Sequence, residues 1–300
     1  MTPARLILYL YAAPYICTFQ NLQMRKSIYC LALACLLFTA LLPAQNLAEL
    51  EASFSKTSDP EQQLELLQKM AKTAEQTDLG QSLTFIKQGV ALAEKTDSKE
   101  QLPRFYEMEG RVYANTQKFD SATVFFDKAL AGYVAVGDKK GEASAWLKKA
   151  YISRWSTDFG KALEYDFKAL ALMEALSDDS GTAGVYEHIA QDLGHQKKPE
   201  KAMEYVQKSI ALAKKSGDNR QLMYSLGTAG TTSLLTEDFQ KFYDYINQAI
   251  NLAHAENMSP GEIAPLYNDR GNALKFLGRY DEAIADYKRC LNISKKTHFK

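Results

Sequence analysis

The chain has 300 residues, 46% of them hydrophobic and 24% charged. That is enough apolar material for a sizeable core and too much for a disordered tail. Its 36 Lys and Arg balance its 36 Asp and Glu, so no basic surplus exists to neutralise a phosphate backbone, and nucleic acid is not an expected partner.

Two apolar runs open the chain. The second is the informative one: Met24-Arg25-Lys26, an apolar stretch from Ile28 to Leu42, then Pro43-Ala44 and polar Gln45-Asn46. A basic head, an apolar centre and a small residue before a polar start describe a secretory signal peptide over 24–44, cleaved after Ala44. The stretch is shorter than the ~20 residues that span a bilayer, which favours a cleaved signal over an anchor. Membrane contact is expected only if the segment stays uncleaved. A lipoprotein start at Cys35 fits poorly, because Leu36-Leu37-Phe38 continue apolar where a lipidated terminus is polar. The first run, Leu6 to Cys17, precedes an already complete signal, so 1–23 reads as a mis-assigned extension and Met24 as the true start. Cleavage would remove Arg5, Arg25 and Lys26 and no acidic residue, leaving the exported chain slightly acidic. Cys17, Cys30 and Cys35 would go with it. Cys290 remains alone, too few for an internal disulfide or a multi-cysteine metal site.

After a short lead-in over 45–59, a forty-residue period begins and runs from 60 to 297, ahead of a tail at 298–300. Ser82, Ala122, Ala162, Ala202, Phe242 and Ala283 recur at spacings of 40, 40, 40, 40 and 41. The extra residue is expected in the loop Asn257-Met258-Ser259-Pro260. Three residues before each of these positions stand Leu79, Phe119, Phe159, Pro199, Phe239 and Tyr280; four after stand Ile86, Phe126, Asp166, Val206, Ile246 and Tyr287. Seven after come Gly89, Ala129, Ala169, Ser209, Ala249 and Cys290, and eight after come Val90, Leu130, Leu170, Ile210, Ile250 and Leu291. These offsets put one apolar stripe on a helix, with a small column where a neighbour must approach closely.

A second helix precedes each of these. Twelve residues before the marker lie Met70, Gly110, Ala150, Ala190, Gly230 and Gly271; sixteen before lie Leu66, Tyr106, Trp146, Tyr186, Leu226 and Tyr267. A large residue and a small one, four apart, offer a knob and a notch on one face. Trp146 is expected to fill such a notch, so that its loss costs roughly 3–5 kcal/mol as for a fully buried ring. Clusters such as Gly137-Asp138 and Ser177-Asp178-Asp179-Ser180 close the turns. Asp78, Asp158 and Asp238 suit helix N-caps, and Pro199 a first turn.

Tyr106, Gly110, Tyr113, Ala122, Phe126 and Ala129 together resemble the tetratricopeptide repeat pattern. Trp146, Ala150, Ala162 and Ala169 give a second match, and Tyr267, Gly271, Ala283 and Tyr287 a third. The first and fifth repeats depart most: Met70 and Thr73 stand for Gly and Tyr, and Phe242 for the packing Ala. The forty-residue length resembles the extended repeats in the sensing halves of bacterial signalling proteins such as histidine kinases, cyclases and transcription regulators. The resemblance implies an all-α, right-handed α-solenoid of about six helix-turn-helix repeats. A helix pair of this kind cannot bury its apolar face alone, and stacking makes one continuous core.

The resemblance further implies that the first helices line a concave groove that holds a protein or peptide. Its register places Glu107, Arg111, Tyr151, Glu187, Gln191, Asn268 and Asn272 there, with Leu147, Gly227 and Thr231. Asn115, Arg154, Trp155, His195 and Lys275 follow one turn on. Aromatic surface beside Arg and amide groups suits a peptide backbone. Reversing the charge of Arg111 and Arg154 is expected to weaken binding and leave the melting temperature nearly unchanged.

No enzyme signal survives inspection. His188, Asp192 and His195 offer about two metal ligands where three are wanted. Gly227-Thr228-Ala229-Gly230-Thr231-Thr232-Ser233 lacks the lysine of a phosphate loop and follows no strand. Neither a cofactor nor a metal is expected. The leading expectation is a non-catalytic exported scaffold, periplasmic or secreted. The alternative is the extracytoplasmic sensor portion of a larger signalling protein, truncated at Lys300. The last helix keeps its aliphatic column at Leu291, with Ile284, Tyr287 and Ile293 nearby, so an uncovered apolar stripe and end-to-end self-association are expected there.

Overall fold

The structure, a computed structural model, describes residues 46–75 and 77–298, with side chains to 296. The extension 1–23, the signal segment 24–44 and the first three cysteines lie outside the described residues. Among the described residues there are thirteen helices and no strand. Helix α1 occupies 46–56. Six hairpins follow: α2 (Pro60–Glu75) with α3 (Leu79–Lys95), α4 (Leu102–Asn115) with α5 (Phe119–Val136), and α6 (Lys139–Trp155) with α7 (Phe159–Ala175). After these come α8 (Asp179–His195) with α9 (Pro199–Ser216), α10 (Asn219–Leu235) with α11 (Phe239–Ala255), and α12 (Pro260–Phe276) with α13 (Tyr280–His298). None of the described helices is long and apolar enough to cross a membrane.

The chain divides into two compact units at Asp97–Ser98. In the first, α2 packs on α3, and Ser82 Oγ donates to the Ala71 carbonyl at the crossing (2.8 Å). In the second, each second helix also packs on the first helix of the next hairpin: α5 on α6, α7 on α8, α9 on α10 and α11 on α12. The first helices touch one another as α4–α6, α8–α10 and α10–α12. Contact confined to neighbours makes this unit a solenoid.

The marker positions Ser82, Ala122, Ala162, Ala202, Phe242 and Ala283 are all buried. So are Ile86, Phe126, Asp166, Val206 and Ile246 one turn on. The notch glycines work by contact: a Cβ on Gly110 would stand 2.7 Å from the Phe126 ring, and one on Gly230 2.7 Å from Ile246 Cδ1. Both distances are below van der Waals contact, so these helices approach as closely as they do only because the notch is empty.

Turn chemistry repeats every twenty residues. Gln117, Gly137, Thr157, Ser177, Lys197, Gly217, Glu237 and Asn257 all hold positive φ. After each, a backbone N–H reaches back five residues, as from Asp138 to the Tyr133 carbonyl (3.0 Å) and Asp158 to the Ser153 carbonyl (2.9 Å). This is the Schellman close of a helix, for which glycine is the least strained residue. Only two of these eight are glycine, so the geometry is imposed by the packed hairpins rather than by local preference. The expected caps are in place: Asp78 accepts from Gly80 and Gln81, Asp158 from Lys161 and Asp238 from Lys241. Asp138, Asp178 and Asp218 cap the first helices in the same way. The extra residue lies where expected, in the connection 256–259, closed by a capping box of Ser259 and Glu262.

Trp146 departs from expectation. Its ring is only partly buried; it lies against Tyr165 (5.3 Å) with Lys168 Nζ 4.4 Å from its centroid. The same arrangement recurs forty residues on, where Lys208 covers Tyr186 and Tyr205. At Tyr106, Trp146 and Tyr186 the large-residue column is thus a set of edge rings, each under a lysine, and a 3–5 kcal/mol loss does not apply to Trp146. On α13, Ile284 and Leu291 of the apolar stripe read from the sequence are exposed, as is Tyr280, while Tyr287 and Ile293 are half-buried.

Candidate functional site

The first helices of the second unit carry the candidate residues, and the structure sorts them into two groups. One is open to solvent. Tyr151 and Trp155 on α6 are 42% and 56% exposed, and they meet edge to face at 6.2 Å. Asn115 ends α4, Gln191 lies on α8, and Asn268 and Lys275 lie on α12, all exposed. Arg111 is half-buried on α4. Asn272 is half-buried and accepts from the Tyr287 hydroxyl (2.9 Å).

The other group is committed to the protein itself. Glu107 accepts from Tyr133 Oη and Ser144 Oγ, both at 2.8 Å, tying α4 to α5 and α6. Burial pushes the Tyr133 hydroxyl well above its ordinary range, with the Glu107 charge adding to it. Glu187 is buried on α8 and accepts from Gln191 and from Thr228 of α10. Arg154 is not a free cation. Its side chain is 16% exposed, and its guanidinium bridges Asp166 of α7 and Asp192 of α8, with Nε 2.8 Å from Asp192 Oδ1. Reversing its charge would place a carboxylate against two buried ones, so the expectation of an unchanged melting temperature fails at this position.

The chemistry of this cluster follows from two aspartates in the repeat columns. Asp166 stands where the other repeats have Ile86, Phe126, Val206, Ile246 and Tyr287; Asp192 stands where they have Lys72, Val112, Ile152, Thr232 and Ala273. Both Asp side chains are fully buried. Burial raises the Asp166 carboxyl to about 7 and the neighbouring Asp192 charge adds to this, while Arg154 opposes it. Burial likewise raises Asp192 and Glu187. His188, beside Glu187, is held down at about 4 by burial and then by Arg154 and Lys148, so it carries no charge at neutral pH.

A ladder along the ends of the first helices was not recognised from the sequence. Phe119 stacks on Trp155 (5.8 Å), Phe159 on His195 (4.5 Å) and Phe239 on Phe276 (4.7 Å). Each pair joins the start of one second helix to the end of the next first helix. Leu235 holds the same position in α10; it and Phe276 are 49% and 45% exposed. Gln191, His195, Thr231 and Leu235 line a shallow depression between the ends of α8 and α10. The signal was present in the register: extending the column of Trp155 and His195 by forty residues reaches Leu235, and by one more repeat Phe276. Among the described residues, no group of three or more His, Cys, Asp or Glu side chains is placed to hold a metal ion.

Residues 264–296, within α12 and α13, match the tetratricopeptide repeat. No curated protein sequence matches the chain. Solved structures share its fold. One is a Signal Transduction ATPase with Numerous Domains from Pyrococcus horikoshii that has a tetratricopeptide repeat sensor. It is 17% identical, with a TM-score of 0.68 over 85% of this chain and 40% of that one. The chain thus spans two fifths of that protein's length. A second is the apo form of RapI, 15% identical, with a TM-score of 0.66 over 83% of this chain and 89% of that one. A third is a Rap protein complexed with competence and sporulation factor, 16% identical, with a TM-score of 0.64 over 86% and 72%. At these identities the likeness is one of fold. The match at 264–296 and the shared fold make the described hairpins tetratricopeptide-like in fold.

Proposed function

We propose that this protein is an exported, non-catalytic adaptor that grips a protein or peptide along the first-helix face of its second unit. One observation carries the reading. Trp155, Leu235 and Phe276 leave large apolar surface in water at repeat-spaced positions on that face, with Tyr151 one turn before Trp155, while the marker column is buried. Exposed aromatic anchors beside amides are the usual composition of a binding surface. Gln191, Asn268 and Lys275 supply the polar contacts, with Arg111, Asn115 and Asn272 beside them; Glu107, Arg154 and Glu187 hold the helices beneath. The Rap protein of the same fold, held with competence and sporulation factor, is a precedent for a bound partner. The test is retention of partners from the exported fraction by the native chain and by a Trp155→Ser, Phe276→Ser variant. Loss of two anchors should weaken a retained partner about tenfold or more. The chain should stay folded, with a melting temperature lowered by several degrees for the lost stacks on Phe119 and Phe239. Equal retention would move the binding surface elsewhere.

Export rests on the segment 24–44. Mass spectrometry of native material should find the N-terminus at or near Gln45. An intact Met24 or Met1 in a membrane fraction would make the segment an anchor instead. A second reading, an extracytoplasmic sensor portion of a larger signalling protein, draws support from the fold shared with the sensor-bearing ATPase. A downstream coding stretch with an apolar run of ~20 residues would favour it.

A further inference from the structure

The junction of α6, α7 and α8 holds two carboxyl groups against one guanidinium. Arg154 takes one oxygen of each, Asp166 Oδ2 and Asp192 Oδ1. The remaining two, Asp166 Oδ1 and Asp192 Oδ2, are buried and have no hydrogen-bond donor. The two carboxyl groups are held against the same guanidinium, close enough for each to act on the other's protonation. Two buried acceptors held at one guanidinium without a donor have lone pairs stripped of water, a large cost that a single proton on the pair reduces. The charge count leads to the same place. Beside Arg154, the groups in range are Glu187, His188 and His195 of α8, Lys148 of α6 and the neutral Thr228 of α10. His188 is neutral near pH 7. Without a bound proton the buried triad carries a net negative charge; with one it is neutral.

We propose that Asp166 and Asp192 hold one proton in common, clamped by Arg154, and that its loss loosens the seam between the second and third hairpins of the second unit. The folded chain then keeps a proton on this pair to about pH 7, whereas an unfolded aspartate releases its proton near pH 4. Between those values the folded state binds the additional proton, so this contribution to stability is full below about pH 4 and is lost as the pH rises towards and through 7. This slope is opposite to that of an ordinary paired carboxylate. Because Arg154 lies between Tyr151 and Trp155, and Asp192 next to Gln191, the seam lies directly under the exposed face.

The experiment compares melting of the native chain and of Asp166→Asn from pH 5 to pH 8, with hydrogen exchange of α6–α8 peptides read at both ends. Asn keeps the shape and supplies a permanent donor, so the variant should match the native chain at pH 5. At pH 8 it should melt roughly 3–8 °C higher and exchange more slowly across α6–α8. Asp192→Asn should behave alike. Should the first variant fail to fold, carbon-13 NMR of aspartate carboxyls in the native chain gives the answer directly. One macroscopic titration near neutrality supports the shared proton. All aspartates titrating below pH 5, or parallel melting profiles, would overturn it.

Discussion

Replacing Phe242 by alanine is expected to destabilise the second unit by about 3–5 kcal/mol. The sequence register argues the opposite, because alanine is the residue that four of the other repeats place there. The structure explains the difference. Phe242 is 1% exposed and sits in a cluster with Leu226, Ile246, Ile250 and Ala273. Gly230 leaves it room on the facing helix, where a Cβ would stand 3.3 Å from the Phe242 ring. The α10–α11 hairpin has been built around a large side chain, so restoring the repeat consensus removes a ring without closing the space. The loss combines the transfer energy of the ring with the cavity left behind. Thermal or denaturant unfolding of the variant checks this. A loss under about 1 kcal/mol would mean that α10 and α11 collapse onto the alanine, as the other hairpins do.

The second large effect is expected at Arg154. Arg154→Met keeps most of the aliphatic stem and removes the charge, leaving Asp166 and Asp192 buried with no cation; breaking such a group costs about 3–5 kcal/mol. The cost should be smaller at pH 5 than at pH 8, since protonation relieves the two carboxyls. Replacing all three members by apolar residues drawn from their own columns, Arg154→Leu with Asp166→Val and Asp192→Val, should be neutral or stabilising by about 1–4 kcal/mol. Denaturant unfolding at the two pH values separates these outcomes. A triple variant less stable than Arg154→Met would show that the triad itself supports the fold.

The architecture was legible because packing between hairpins fixes what stands at each column: Ala122, Ala162 and Ala202 are small because a helix crosses there, and Gly110 and Gly230 because Phe126 and Ile246 fill the notch. Positions were read correctly where one residue's own size decides them. They were misread where a partner decides. Trp146 looks like a core ring by its column and is an edge ring under Lys168. Arg154 looks like a groove cation and is spent on two aspartates twelve and thirty-eight residues away. One partner, Asp166, was visible as an anomaly, since an Asp in an otherwise apolar column requires a buried counter-charge. The aromatic ladder was likewise split between two columns that only the fold brings together.

Site-specific photo-crosslinking tests the proposed binding face most directly. A benzophenone side chain placed at Tyr151 or at Trp155, and for comparison at Val124 on α5, which is also exposed, would be activated in the exported fraction. A partner on the first-helix face gives adducts from 151 and 155 and none from 124. Adducts from 124 alone would contradict the account and place the partner on the second helices.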